Sequence, residues 1–198
     1  MKLLIASTFA LLLSHFSALA IVDLGQPASR TPYENFMRPV REVLNSLPKN
    51  TPSMNRVQDL MLEGRSFRYS YTTPYYPSWP EQTAARRQGD CKDKALWLCE
   101  QLQDSNARFV IGKMRRGSRM SHAWVMWENE GRWWILDCTM NSRPIPADRV
   151  GPNDYVPLYS YGKNTAYRHD GTSTQFAGVA AKKKAPVAAK LDRRIASN

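Results

Sequence analysis

Apolar residues recur at helical spacing in the first half of the chain and at alternate positions through much of the second. Phe36, Val40, Val43, Leu44 and Leu47 share one face of a helix that stops before Pro48. Ahead of them, Thr31-Pro32-Tyr33-Glu34 has the form of a capping box with proline at the first helical position. A second short helix is expected over 53–62 and a short strand over 66–71. Three prolines make 72–80 a loop, whose aromatic side chains are placed to line a groove. A further helix begins at Cys91: Asp90 is a good N-cap, Asp93 stands near capping-box spacing, and Ala95, Leu98, Cys99 and Leu102 continue the helical period. Beyond it, 107–111, 122–128, 132–138, 155–161 and 166–168 read as strands, with a tight turn near Asn129 and Glu130 joining the second and third. Helices followed by strands predict an α+β domain.

Residues 1–20, MKLLIASTFALLLSHFSALA, run in the order of a secretory signal peptide: a lysine, an apolar stretch, then small residues at Ala18 and Ala20. No later stretch approaches the roughly 18 apolar residues of a membrane span. The expectation is therefore an exported protein, periplasmic or extracellular. From about Gly171 the chain turns to alanine, lysine and small polar residues, too poor in large apolar groups to offset its ordering entropy. This divides the chain into a signal peptide at 1–20, a folded domain at 21–170 and a flexible basic tail at 171–198. The tail holds six Lys and Arg against one Asp, a net of +5, and Lys2 leaves with the signal peptide. The domain thus keeps only +5 of the chain's +11, which argues against nucleic acid as a partner. A weak contact of the tail with anionic envelope surfaces fits better.

Three residues then stand out. A thiol at a helix N-terminus meets the positive end of the peptide dipoles, which lowers its pKa to roughly 3.5–7.5 in known cases and favours the nucleophilic thiolate. Cys91 has that address, and its own N–H is placed to meet an incoming carbonyl oxygen. His122 opens a strand and supplies a group able to take and return a proton near neutrality. The turn near Asn129 and Glu130 sets Asp137 directly opposite His122, where an acid fixes the ring's tautomer. Cys99 and Cys138 remain. An oxidising compartment would allow a disulfide between them, whereas strand alternation turns Cys138 away from the cysteine helix. No C-x-x-C, H-E-x-x-H or glycine-rich phosphate loop is present, so neither metal nor cofactor is expected. Trp124, Trp127, Trp133 and Trp134 read as core and sheet packing.

"GDCKDKALWL", "SHAWVMW" and "WWILDCT", in that order, resemble the transglutaminase-like superfamily, in particular its bacterial cysteine-peptidase-like members. The resemblance spans about a third of the chain, 74–139. It implies a papain-like α+β core with the cysteine helix packed on an antiparallel sheet, and a Cys91–His122–Asp137 triad working through a thioester. It also implies an oxyanion-hole side chain upstream of the cysteine, for which Gln88 and Gln82 are the amide candidates and Tyr71, Tyr76 and Trp79 the aromatic ones. Lys92 departs from the acidic or neutral residue of many relatives, which bears on substrate preference. The implied function is an exported thiol hydrolase cutting peptide or isopeptide amide bonds in a protein, peptide or cell-wall peptide substrate. Acyl transfer to an amine, or a catalytically silent envelope-binding module, are the alternatives.

Overall fold

A computed structural model describes residues 22–73 and 75–171. The expected signal peptide, and the expected tail beyond its first residue, lie outside the described residues. In chain order come β1 (Gln26–Ala28), a 3-10 turn (Glu34–Phe36), α1 (Arg38–Ser46), α2 (Met54–Ser66), β2 (Arg68–Tyr69), α3 (Pro80–Arg86), β3 (Gln88–Gly89) and α4 (Cys91–Leu102). The strands β4 (Ala107–Arg115), β5 (His122–Asn129), β6 (Arg132–Leu136), β7 (Ile145–Pro146), β8 (Asp154–Gly162) and β9 (Thr165–Arg168) follow. Seven strands form one sheet in the order β1-β9-β8-β4-β5-β6-β7, every pair antiparallel, while β2 and β3 pair in parallel beside it. The molecule is α+β, as the pattern predicts.

α4 runs through the middle of the core. Of its 12 residues nine are buried, including Lys92, Asp93 and Lys94, so it shows no polar face of the kind a surface helix carries. α1 and α2 pack over it, and Val40, Leu44, Val57 and Leu60 meet Leu96, Trp97 and Leu98 in one cluster. The sheet supplies the other wall through alternate residues: Phe109 and Ile111 from β4, Ala123, Val125 and Trp127 from β5, and Leu136 from β6. The intervening residues Val110, Trp124, Met126 and Ile135 form a second cluster on the far face. Among the described residues no helix is long and apolar enough to cross a membrane.

Several expectations need correction. Thr31 does not cap α1, because the 3-10 turn intervenes and α1 starts at Arg38 with its own proline in the first turn. Thr31 is instead buried and its hydroxyl bonds that of Tyr161. The β5–β6 hairpin turns at Glu130 and Gly131, both at positive φ (53° and 74°), as in a type I′ turn. Asn129 therefore pairs with Arg132 and Val125 with Leu136, a register two residues away from the expected one. A shift of two keeps every side chain on its expected face. β6 also ends at Leu136, so alternation no longer governs Cys138. Its buried thiol packs against the carbonyl of Lys94 in α4 (3.8 Å), and all three cysteines are free thiols.

Candidate active site

The start of α4 is built by reciprocal hydrogen bonds. Asp90 Oδ1 accepts from the N–H of Lys92 (3.1 Å), and Asp93 Oδ2 accepts from the N–H of Asp90 (3.1 Å). The same two carboxylates hold the loop in front of them. Asp90 Oδ2 accepts from the N–H of Thr72 (3.2 Å), and Asp93 Oδ1 from that of Ser78 (2.8 Å). Cys91, half-buried, thus stands as the first residue of a helix whose cap also fixes the wall of a cleft. Lys92 does not face water. Its Nζ is spent on Asp90 Oδ2 and on the hydroxyl and carbonyl of Thr72 (2.8 and 3.2 Å). The cation and its carboxylate neutralise one another beside the thiol.

His122 opens β5 opposite Gly112 of β4, and Asp137 is the first residue after β6. Although the register puts them two residues out of direct opposition, they share a face, and His122 Nε2 lies 2.8 Å from Asp137 Oδ2. The carboxylate, 2% exposed, is saturated. Its Oδ1 accepts from the N–H groups of Thr139 (3.1 Å) and Met140 (3.3 Å), and its Oδ2 also accepts from the hydroxyl of Tyr155 (2.9 Å). Asn141 Nδ2 in turn donates to the Tyr155 hydroxyl (2.5 Å). With Nε2 engaged, Nδ1 is the ring nitrogen left for Cys91. Burial is the largest single influence on His122 and disfavours its charge, but hydrogen bonds and charge from Asp137 and Cys91 together outweigh it, pushing the pKa up to about 9.

Cys91 and His122 line one cleft, whose floor is Met37, Phe109, Ile111 and Ala123. Tyr69, Tyr71 and Tyr75 with Met120 form an exposed apolar rim. Burial is the first cause that raises the Tyr69 and Tyr75 hydroxyls above their ordinary range, and the charge on Cys91 contributes to both. Neither expected amide lines this cleft. Gln82 is exposed on α3, and Gln88 Oε1 accepts from Arg68 Nε (3.0 Å). Of the aromatic candidates Tyr71 reaches the cleft, while Trp79 packs against the core. Tyr155 and Asn141 were not singled out from the sequence; nothing local marks them, since their role exists only where three chain segments meet. Burial pushes the remaining thiols up, Cys138 to about 12, so both are inert neutral groups. Among the described residues no group of three or more His, Cys, Asp or Glu is placed to hold a metal ion.

A helix-borne thiol facing an antiparallel sheet that carries histidine and aspartate is an α+β arrangement, and at the level of fold it is of the transglutaminase-like, papain-like kind. Comparison with solved structures makes this concrete. LapG of Legionella pneumophila superposes with a TM-score of 0.50 at 18% identity, over 72% of this chain and 83% of that one. Its EGTA-treated form gives 0.51 at 18% identity, over 67% and 75%. At that identity the likeness is one of fold alone. No protein-family model matches the chain, and a search of curated proteins found no match.

Proposed function

We propose that the protein is an exported thiol hydrolase that cleaves peptide or isopeptide amide bonds, with Cys91 as nucleophile, His122 as acid and base, and Asp137 holding His122. The observation that carries this reading is the Asp137–His122 pair at 2.8 Å, with Cys91 also in hydrogen-bond reach of His122 and both Cys91 and His122 lining one cleft. Export rests on the order of residues in 1–20. The apolar floor and aromatic rim suit an uncharged side chain next to the scissile bond.

His122, which near neutrality favours its charged form, is the group that holds the proton given up by Cys91. The Cys91 sulfur attacks the amide carbon, and the new oxyanion meets the N–H at the start of α4. Collapse breaks the C–N bond as the imidazolium gives its proton to the leaving amine, leaving a thioester on Cys91 and a neutral ring. Water then attacks the thioester, His122 accepts its proton, and the C–S bond breaks to release the acid and free the Cys91 sulfur, with the proton left on His122. Asp137 keeps the ring in one tautomer throughout and offsets the imidazolium charge.

The test is alkylation with iodoacetamide at pH 6 beside hydrolysis of peptide and cell-wall amides, each on wild type and C91A. Labelling at Cys91 far faster than at an ordinary thiol, and amide cleavage lost in C91A, are expected. Unchanged turnover in C91A, or an unreactive Cys91, refutes the reading.

A further inference from the structure

Some buried polar groups take no part in the proposed reaction. Ser160 Oγ lies 2.8 Å from His169 Nε2, and His169 Nδ1 lies 3.2 Å from Asp23 Oδ1. This row has the atoms of a hydrolytic site, but Ser160 and His169 are closed to solvent. It acts as a clasp between the N-terminal segment and the β8–β9 hairpin. Tyr155 carries an inference further.

Tyr155 is the second residue of β8, and three locally unfavourable choices converge on it. Its φ is +46°, in the left-handed region that a tyrosine adopts only under constraint. β8 bulges against β4 a little further on, at Leu158: Ile111 faces Tyr159, whereas Gly112 faces Pro157. Gly112, in mid-strand, has no side chain to pack, and a Cβ on it would stand 2.3 Å from the Val156 carbonyl and 2.5 Å from the Trp124 ring. Their joint result is to bring β8 in and lay the Tyr155 ring edge-on to Trp124 (5.3 Å, 76°), whose ring is itself stacked with His122 (6.1 Å, 23°). The Tyr155 hydroxyl then reaches the same Asp137 oxygen that His122 uses, with Asn141 behind it. Burial, aided by the Asp137 charge, raises its pKa, so the hydroxyl keeps its proton and remains a donor.

We propose that Tyr155, set by Asn141, is a positioning residue for the His122–Asp137 pair: it pins the shared carboxylate oxygen and draws charge from it. That keeps the imidazole aligned with Cys91 and limits how firmly Asp137 retains the imidazolium proton. The inference rests on the hydrolase reading for its purpose. The groups that face His122 are Asp137 beyond β6 and Cys91 of α4, with Tyr75 across the cleft; the Asp90–Lys92 pair is internally neutral, and β4 contributes Gly112 and Lys113, whose Nζ is held by the Arg119 carbonyl and the Ser121 hydroxyl (3.0 and 3.4 Å).

NMR titration of the His122 Cε1–H in wild type, Y155F and N141A tests this, with iodoacetamide alkylation of Cys91 and thermal unfolding alongside. Loss of the donor leaves more charge on the oxygen facing His122. Y155F is therefore expected to raise the midpoint from about 9 by roughly half a unit to one unit, and the ring's lost alignment with Cys91 is expected to slow alkylation at pH 6. N141A, which only weakens the Tyr155 donor, shifts the midpoint the same way by less. A folded Y155F with wild-type midpoint and wild-type alkylation overturns the proposal; if Y155F fails to fold, an unshifted N141A does so. An unreactive Cys91 in wild type would instead sink the hydrolase reading, while a shifted His122 midpoint would still uphold the Tyr155 contact.

Discussion

Replacing Asp137 by asparagine removes a charge without removing volume, and the structure dictates how the new amide must sit. Two of the four donors on Asp137 are the backbone N–H groups of Thr139 and Met140, which cannot accept a hydrogen bond. The amide oxygen turns to them, so the amide NH2 faces His122 Nε2 and the Tyr155 hydroxyl. Nε2 must then accept, and the ring proton moves to Nδ1, the nitrogen that has to take the proton from Cys91. A wrong tautomer of this kind costs about 10⁴-fold in turnover in hydrolytic triads. The carboxylate's contribution to His122 also vanishes while burial, the largest influence, stays, so the His122 pKa falls from about 9. All four hydrogen bonds to the carboxylate lose their charge assistance or are reversed, at about 2–4 kcal/mol of stability in all. Amide hydrolysis and the pH dependence of Cys91 alkylation, measured on folded D137N, read both effects. If D137N retains hydrolysis within about tenfold of wild type, the role given to Asp137 is wrong.

His122 also ties stability to pH. Its folded pKa, about 9, exceeds its unfolded value of about 6.5. The stabilisation is therefore complete below about pH 6.5 and is lost as pH climbs through 9, so the Tm advantage of wild type over H122Q narrows across that window. Hydrolysis falls over the same alkaline limb, because a neutral His122 cannot protonate the leaving amine. G112A is expected to lower stability by about 1–3 kcal/mol by overpacking, since its Cβ would collide with the Val156 carbonyl and the Trp124 ring. Chemical denaturation measures it, and a neutral outcome would show that β8 yields without cost.

How much of this was legible in the sequence varied with how local the signal was. The start of α4 could be read to the residue, because Asp90 and Asp93 act on N–H groups within three positions of themselves. α2 was expected to stop at 62 but continues to Ser66, as Met61 and Gly64 are drawn against the core, a tertiary effect without a local marker. The facing of His122 and Asp137 was legible in kind and missed in register: positive φ at Glu130 and Gly131 moved the turn by one residue and the pairing by two. Even parity preserved the juxtaposition. α3 was not anticipated, although Pro80 stands in its first turn, where proline begins helices well. Tyr155, Asn141 and the bulge in β8 lay beyond reach, because they depend on pairing between segments some 40 residues apart.

The strand order has a consequence for how a substrate chain can be held. The sheet is bounded by β1 and β7, of three and two residues, and each includes a proline, Pro27 and Pro146. Its long strands β4 and β8, nine residues each, are interior. A polypeptide arriving in extended form therefore finds almost no row of free N–H groups to extend. Among the described residues, the two margins of this seven-stranded sheet thus offer little for another strand to pair with. On the proposed hydrolase reading, a substrate would then be met by the side chains of Tyr69, Tyr71, Tyr75 and Met120 at the mouth of the cleft.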